Sequence, residues 1–329
     1  MPPHFGQIVV GPPGSGKSTY CHGISQFYRA IERDVAIVNL DPANDGLPYE
    51  ADIDIAELIT LDDAMEVYGL GPNGAMIFCM EYLEKNIDWL VEKLQTLDGK
   101  YIIIDCPGQV EIFTNHPSMR NIIDVLSRQH DYRLCAVHLV DAHYCTDPAK
   151  YVAMLLLSLK AMMQLELPHV NILSKVDLME AYGTLAFNLD YYTEVQDLSY
   201  LLQRLNTDNF GRKFTKLNEA LCELIEEFSL VAFQTLCIED KESVLKVVKH
   251  IDRANGYFHA GDEENLLETV MSVPVGSFLD EVAVVSEKYL DHAMTDAEGE
   301  DDIGVSTEYS DHVKDIIENE INPVFEGSQ

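Results

Sequence analysis

Short apolar runs alternate with longer segments of helical periodicity along most of this chain. The runs are apolar throughout rather than at every second position, as expected for strands of a parallel sheet that is covered on both faces. The repeated order of strand and helix predicts a doubly wound α/β fold, with a mostly parallel sheet and right-handed connections. The predicted strands are 5–10, 34–40, 101–105, 134–140, 169–173 and 230–236, and the predicted helices are 17–31, 82–97, 117–128, 148–165 and 211–228.

Two insertions and a C-terminal extension depart from this order. Residues 41–80 lie between the second and third predicted strands, and residues 178–210 follow the fifth. After the sixth strand the strand pattern stops, and the end of the chain is strongly acidic. We therefore predict a domain over 1–258 that contains both insertions, a helical extension over 259–295 and an acidic, disordered tail over 296–329.

The chain carries a large excess of negative charge. It has 22 Lys and Arg residues against 56 Asp and Glu residues, which gives a formal net charge of -34. Such a surface repels nucleic-acid phosphates and anionic membranes, so direct binding to nucleic acid or to a membrane is not expected. A phosphate ligand must be held locally, by backbone N–H groups and one or two lysines, and the macromolecular partners are expected to be proteins.

The cysteines and the start of the sequence indicate a reducing compartment. Seven cysteines are scattered singly without a Cys-x-x-Cys pair, so neither a disulfide framework nor a zinc site is expected. The first residues lack the basic and apolar regions of a signal peptide, and the longest apolar stretch is interrupted by Lys160 and is too short to span a bilayer. We expect a soluble, cytoplasmic protein that can also enter the nucleus.

The stretch IVVGPPGSGKST carries the strongest motif, G-x-x-x-x-G-K-[ST], between an apolar strand and a helical segment. This pattern is typical of a phosphate-binding loop, in which backbone N–H groups and the positive end of the following helix hold phosphate oxygens. Lys17 is placed to reach the β- and γ-phosphates, and the Ser18 hydroxyl to bind Mg²⁺. The residues predicted to bind nucleotide here are Gly11, Gly14, Ser15, Gly16, Lys17, Ser18 and Thr19.

A second motif, Asp-x-x-Gly, begins at the last residue of the strand YIIID. An aspartate at the carboxyl end of a strand can hold Mg²⁺, so Asp105 and Ser18 are the predicted metal ligands. Gly108 can turn its backbone N–H toward a γ-phosphate, which predicts a sensor of the nucleotide state. Many strands end in a turn of this composition, and the motif gains its significance from its pairing with the phosphate-binding loop.

A third motif, Ser-Lys-x-Asp, follows the strand HVNIL. The Asp177 carboxylate can accept hydrogen bonds from both N1–H and N2–H₂ of guanine, a pair that adenine lacks, and the Lys175 stem can cover the base. The alternative is an ordinary strand-to-helix turn with Asp177 as a cap. Ser174 stands where the usual motif has Asn, which predicts some relaxed selectivity. The last base-contacting residues are predicted at Thr235 and Leu236.

Taken together, these motifs resemble those of the GPN-loop GTPases. GPPGSGKST, NLDPAND, GPNGAM, DCPGQVE and LSKVD occur in the order found in that family, and the resemblance covers about residues 5–258. The amino-acid sequence of these motifs is most similar to that of the second of the family's three eukaryotic branches. The resemblance implies a P-loop NTPase of the dimeric class that includes MinD-like and signal-recognition GTPases, with GTP or GDP and Mg²⁺ as ligands and with both nucleotides facing the dimer interface.

The resemblance also implies partners and a biological role. It predicts a homodimer, or a heterodimer with other GPN-loop GTPases, and it predicts RNA polymerase subunits or assembly factors as further partners. The implied role is the assembly and nuclear import of RNA polymerase II and related polymerases. Nothing in the composition or the spacing of residues indicates that role by itself.

Hydrolysis of GTP requires a positioned water and charge stabilisation at the γ-phosphate. Asp41 follows the second predicted strand and is expected at the same sheet edge as the phosphate-binding loop, while Gln109 and Glu111 follow Asp-x-x-Gly directly. We predict that these three residues lie near the water. The alternatives are turn capping for Asp41 and a first-turn helix acid for Glu111.

No arginine finger is evident, and the turn Gly71-Pro72-Asn73 is the candidate to replace it. Pro72 fixes φ and the glycines permit a sharp turn with close approach of the backbone, so that Asn73 becomes a preorganised donor. By resemblance this turn enters the site of the neighbouring subunit, where Gly71 and Pro72 contact nucleotide and Asn73 takes part in catalysis.

Two alternatives to a GTPase are open at this point. An ATP-using kinase of a small molecule or of a nucleic-acid end shares the Gly-Lys-Ser/Thr loop, but the other two motifs and the shortage of basic residues disfavour it. A scaffold with a structural nucleotide would bind GTP without turning it over.

Overall fold

The computed structural model describes residues 3–257, apart from 45, 184, 196 and 207–211. The described residues form seven strands: β1 (His4–Val10), β2 (Val35–Asn39), β3 (Ile53–Asp54), β4 (Tyr101–Asp105), β5 (Tyr132–Asp141), β6 (His169–Ser174) and β7 (Phe233–Leu236). They build one sheet in the order β3-β2-β4-β1-β5-β6-β7, and every neighbouring pair is parallel.

Helices cover both faces of this sheet, because the strands are apolar on both sides. Ile8 belongs to a buried cluster on one face, and Val9 belongs to a second cluster on the other. The described α-helices are α1 (Lys17–Ala30), α2 (Leu61–Tyr68), α3 (Pro72–Lys85), α4 (Ile87–Gln95), α5 (Val110–Thr114), α6 (Pro117–Gln129), α7 (Pro148–Leu165), α8 (Met179–Tyr182), α9 (Leu189–Glu194), α10 (Ser199–Leu205), α11 (Thr215–Phe228) and α12 (Lys241–Asn255).

The order of the strands brings several chain segments to one edge of the sheet. β1 lies between β4 and β5. Strands β2 to β4 lie on one side of β1 and strands β5 to β7 lie on the other, so the strand order changes direction at β1. Val9 is in register with Asp105, and Asp141 is in register with Ser174. Because all strands are parallel, their carboxyl ends face the same side, where ligands of open α/β sheets bind.

The predicted doubly wound α/β fold is confirmed, and each predicted strand is present to within three residues at its ends. The predicted helix over 82–97 is wrong, since α3 ends at Lys85 and α4 begins at Ile87. Between them, Asn86 leaves the helical region with φ of -111° and ψ of 36°, and its side chain donates to the Tyr82 carbonyl oxygen at 2.8 Å. β3, α2 and α12 were not predicted as separate elements.

The extension predicted over 259–295 and the tail predicted over 296–329 lie outside the described residues, so the domain boundaries stay predictions. No helix among the residues described is long and apolar enough to cross a membrane. All seven cysteines are buried as free thiols.

Candidate nucleotide-binding site

The phosphate loop (residues 11–18) connects β1 to α1, and glycine is required at its first position. Gly11, Gly14 and Gly16 have φ angles of 150°, 78° and 89°, a region that side chains disfavour. A Cβ atom on Gly11 would lie 2.3 Å from the Leu139 carbonyl oxygen, which leaves no space for any side chain. The loop therefore turns back on β5, and its backbone N–H groups can point inward around an anion.

Lys17, the first residue of α1, lies beside the Asp-x-x-Gly motif. Its side chain is only 8% exposed, and its Nζ donates to the Pro12 carbonyl oxygen at 3.4 Å. A Cβ atom on Gly108 would lie 2.9 Å from this Nζ. The phosphate loop and the Asp-x-x-Gly motif therefore meet at the place where a γ-phosphate is expected to bind. A side chain at position 108 would press against the Lys17 ammonium group and displace it.

Asp105 and Ser18, the predicted metal ligands, lie together beneath the phosphate loop. Tyr49 donates its hydroxyl proton to Asp105 Oδ2 at 2.7 Å, and Asn44 Nδ2 donates to Ser18 Oγ at 3.1 Å. Within the described part of the chain, the buried Asp105 Oδ1 has no hydrogen-bond partner. Burial raises the pKa of Asp105, whereas the hydrogen bond from Tyr49, the neighbouring Ser18 hydroxyl and the charge of Lys17 oppose the shift.

This donor set fits Mg²⁺ in the presence of a nucleotide. A buried carboxylate oxygen without a partner and a nearby hydroxyl are hard oxygen ligands of the type that Mg²⁺ prefers. Among residues 3–257, with the gaps stated above, no group of three or more His, Cys, Asp or Glu side chains could hold a metal alone. The remaining ligands would therefore be phosphate oxygens and waters, as is usual for Mg²⁺ in nucleotide sites.

Asp41 reaches the same region although β4 separates its strand from β1. Its Oδ1 accepts from the backbone N–H of Ala43 at 3.0 Å. Burial raises the pKa of Asp41, and the backbone hydrogen bonds of Ala43 and Gly108 and the charge of Lys17 oppose this shift. The structure thus brings Asp41, Lys17 and Gly108 together at the sheet edge where the strand order places Asp41, and its role toward the water stays a prediction.

The segment Gly71-Pro72-Asn73 (the GPN segment) is the start of a helix, and the predicted sharp turn is wrong. Gly71 is the N-cap of α3 with a φ of -73°, and Pro72 is its first residue, where its fixed φ fits and its missing N–H has no cost. All three residues are exposed. A Cβ atom on Gly71 would meet no atom within 4 Å, so no close approach by the chain's own backbone requires this glycine.

Three polar side-chain pairs join α3 to the segment that follows Gly108. Gln109 Nε2 donates to Asn73 Oδ1 at 2.9 Å. Further along α3, His116 Nε2 lies 3.2 Å from Glu81 Oε1. The third pair is Asn121 Nδ2, which donates to Glu84 Oε1 at 2.6 Å. Glu111 lies exposed in the first turn of α5.

The third motif forms one wall of a pocket of about 120 Å³ beside the phosphate loop. The exposed Asp177 carboxylate stands at this pocket, as a guanine reader must. Leu236 lines the pocket, whereas Thr235 is not among its lining residues in the described structure. The lining residues are Ser15, Gly16, Thr19, Tyr20, Leu139, Ser174, Lys175, Asp177, Leu236, Ile238 and Glu239.

Ser174 and Lys175 bind the phosphate loop to this wall. Ser174 Oγ lies 2.8 Å from the Ser15 carbonyl oxygen, so its hydroxyl can join the loops as the usual Asn does. Lys175 has a φ of 59° and donates through Nζ to the Gly14 carbonyl oxygen at 2.7 Å and to Asp141 Oδ2 at 2.8 Å. The hydrogen bond with Asp141 raises the pKa of Lys175.

Sequence reasoning missed several residues of this site. Asn44 and Tyr49 contact the predicted metal ligands, Asp141 holds Lys175, and Ile238 and Glu239 line the base pocket. Asp141 had a readable signal, because it ends a strand at the edge where the other motifs lie. The other four lie on irregular segments, where periodicity carries no information.

Comparisons with known proteins give a consistent result. A sequence profile for a family described as "Conserved hypothetical ATP binding protein" matches residues 9–257. The GPN-loop GTPase 2 of Danio rerio is 54% identical over 298 residues, which cover 90% of this chain and 96% of that protein. The GPN-loop GTPase QQT1 of Arabidopsis thaliana is 54% identical over 291 residues, which cover 87% and 97%.

A solved structure shares the fold. The apo form of a GTPase from Pyrococcus abyssi matches with a TM-score of 0.62 and 25% sequence identity, covering 77% of this chain and 98% of that one. The fold and the site define a nucleotide-binding protein of the P-loop class. The sequence relatives narrow this further: the chain belongs to the GPN-loop GTPase family, as its motifs indicated.

Proposed function

We propose that this chain binds GTP with Mg²⁺, hydrolyses it at the carboxyl edge of the sheet, and works in a dimer. Its family membership makes it a GTPase, and the site supports this assignment. The observation that carries the proposal is the meeting of Lys17, Gly108 and Asp41 at the phosphate loop, with the Asp177 pocket beside it. The groups proposed to bind the phosphates, to sense the γ-phosphate and to recognise the base thus lie next to one another at one edge of the sheet.

The chain's own groups divide the work as follows. The phosphate loop and Lys17 hold the β- and γ-phosphates, and Ser18 and Asp105 hold Mg²⁺, which when bound would neutralise charge on the phosphates. Asp41 is the group best placed to orient the attacking water, because it is half-buried beside Lys17 and Gly108. Gln109 and Glu111 are proposed to complete the water site.

A second chain is proposed to complete this site. The GPN segment is exposed, so its Asn73 is open to contact from outside the chain. The contact with Gln109 uses Asn73 Oδ1, which leaves the amide nitrogen able to donate to a phosphate or water of another subunit. The second chain is either another copy or a different GPN-loop GTPase.

The preference for guanine over adenine requires a separate experiment, because the matching sequence profile is described as ATP binding. The Asp177 carboxylate favours guanine, which offers two adjacent donors, and adenine would leave the carboxylate unmatched. Calorimetric titration of the purified chain with GDP and ADP checks this choice. GDP binding at least tenfold tighter is expected, and equal affinities would favour the ATP-using alternative.

The working form can be tested by measuring mass and turnover together. The purified chain is examined with GDP, with a non-hydrolysable GTP analogue, and with related GPN-loop GTPases added. A doubling of mass that accompanies GTP turnover supports the switch. Tight GTP binding without turnover in any of these mixtures would instead indicate a scaffold with a structural nucleotide.

Partners and location follow from the family resemblance alone and are proposals of the same kind. We propose RNA polymerase subunits or their assembly factors as clients, with a role in polymerase assembly and nuclear import. The proposed location is the cytoplasm, with passage into the nucleus. The net charge of -34 supports protein partners over nucleic acid.

A further inference from the structure

The segment that follows β2 forms a hydrogen bond with each of the two predicted metal ligands, Ser18 and Asp105. It leaves β2 after Asn39 and returns to the sheet edge at β3, which begins at Ile53. Its Tyr49 ring is 8% exposed and belongs to the core cluster that also contains Val9. Because the ring is fixed in the core, the position of its hydroxyl is determined by the fold rather than by solvent.

The Tyr49 hydroxyl restricts what Asp105 can do. An ionised carboxylate only accepts hydrogen bonds, so Tyr49 must be the donor in the 2.7 Å contact with Oδ2. This bond fixes the carboxylate plane and leaves Oδ1 as the oxygen available to a cation. Oδ1 is buried and has no hydrogen-bond partner among the residues described, an arrangement that is unfavourable unless another group occupies it.

Asn44 plays the matching part for Ser18. Its amide donates to Ser18 Oγ at 3.1 Å, so it occupies one of the two lone pairs of the hydroxyl oxygen. The second lone pair stays available to a cation. Each ligand therefore presents one free oxygen position.

We propose that Tyr49 and Asn44 are positioning residues for the Mg²⁺ site, each orienting one ligand through a hydrogen bond. This inference rests on the proposed function, since it concerns the cation that accompanies the nucleotide. Partners of metal ligands set the orientation and basicity of those ligands, and their loss typically weakens metal binding by about 10- to 100-fold. Neither residue touches the nucleotide in this account.

The experiment measures affinity for the cation rather than turnover. The full chain is loaded with GDP and titrated with Mn²⁺, and free Mn²⁺ is followed by electron paramagnetic resonance. Tyr49→Phe is expected to weaken Mn²⁺ binding by about tenfold, because it removes only the hydroxyl. Asn44→Ala is expected to weaken it by about threefold, because its partner is a neutral hydroxyl.

Tyr151→Phe is the matched control. Tyr151 is fully buried, and its hydroxyl donates to the Tyr192 carbonyl oxygen at 2.9 Å, in a core cluster that contains neither Asp105 nor Ser18. This variant loses the same atom and a hydrogen bond of similar length. Its Mn²⁺ affinity is expected to stay within about twofold of wild type, since it loses stability but no ligand orientation.

The outcomes separate the inference from the function on which it rests. Equal Mn²⁺ affinities of wild type and Tyr49→Phe, or an equal loss in Tyr151→Phe, would overturn the inference alone. If the wild-type GDP complex bound no Mn²⁺, the proposed function would fall and the inference with it. Should Tyr49→Phe not fold, Asn44→Ala decides: a threefold loss supports the inference, and unchanged affinity overturns it.

Discussion

Two glycine-containing segments of this chain differ in what their glycines do. In the phosphate loop, Gly11 has a φ of 150°, and a Cβ atom there would clash with the Leu139 carbonyl oxygen at 2.3 Å. In the GPN segment, Gly71 has an ordinary φ, and a Cβ atom would meet nothing within 4 Å. The first glycine is required by the chain's own fold, whereas nothing within the described chain requires the second.

The single chain builds one part of the site from its own buried contacts and leaves another part exposed. Around the phosphate loop, groups from the segments at the ends of β1, β2, β4 and β6 form hydrogen bonds with one another. These bonds involve Lys17, Asp105 and Ser174. The GPN segment instead presents exposed residues at the start of α3, tied to the chain by the Asn73 contact with Gln109. In our proposal, the exposed half is directed at a second chain.

The largest expected effect is on nucleotide affinity at the buried half. Lys17→Ala removes a charge-assisted contact with the β- and γ-phosphates, and we expect GTP affinity to fall by about 100-fold. Calorimetry measures this loss. Lys93→Ala is the control, because Lys93 lies on α4, pairs with Glu57 and is not among the residues assigned to the nucleotide site. Wild-type affinity in the Lys17→Ala variant would contradict the assignment of the phosphate loop.

A matched pair of glycine substitutions tests the comparison through stability. Gly11→Ala is expected to lower the free energy of unfolding by about 2 kcal/mol, since it combines a disfavoured φ with a backbone clash. Gly71→Ala is expected to change it by less than about 1 kcal/mol, because the N-cap position of α3 is exposed and unstrained. Denaturant unfolding of both variants provides the measurement. Equal losses would show that the two segments are constrained alike.

A smaller effect is expected at the base pocket. Asp177→Asn replaces a carboxylate that can accept two guanine donors, so the preference for GDP over ADP should fall by about tenfold. Competition binding with fluorescent GDP gives the ratio directly. Asp190→Asn in α9 supplies a control with the same change outside the pocket lining. An unaltered ratio in Asp177→Asn would show that another group reads the base.

Much of this architecture was predictable because its signals are local. Continuous apolar runs located the strands, and residues that end strands, such as Asp105 and Ser174, were assigned to one edge because parallel strands share it. The start of α3 was also readable in principle. A proline that follows a glycine is compatible with the first position of a helix as well as with a turn, so the dipeptide alone does not separate the two.

Other features depended on contacts that no local pattern encodes. Tyr49 meets Asp105 across 56 positions of sequence, from a segment without periodicity. The Lys175 side chain contacts Asp141, and the backbone of Lys175 lies in the left-handed region. A lysine gives no sign in the sequence that its backbone will adopt that conformation. The break at Asn86 lies inside an otherwise helical pattern, where the backbone of that one residue leaves the helical region.

The central claim is that a second chain supplies Asn73, and a complementation assay tests it most directly. Lys17→Ala keeps Asn73 but binds GTP about 100-fold more weakly, so its own site stays mostly empty at GTP concentrations near the wild-type dissociation constant. Asn73→Ala binds GTP but lacks the amide. Each variant alone should turn over GTP about 100-fold more slowly than wild type, as typical for loss of a preorganised donor. An equal mixture should recover about a quarter of the wild-type rate, because half of randomly paired dimers contain one complete site. Turnover of the mixture that stays at the level of the separate variants would contradict the claim.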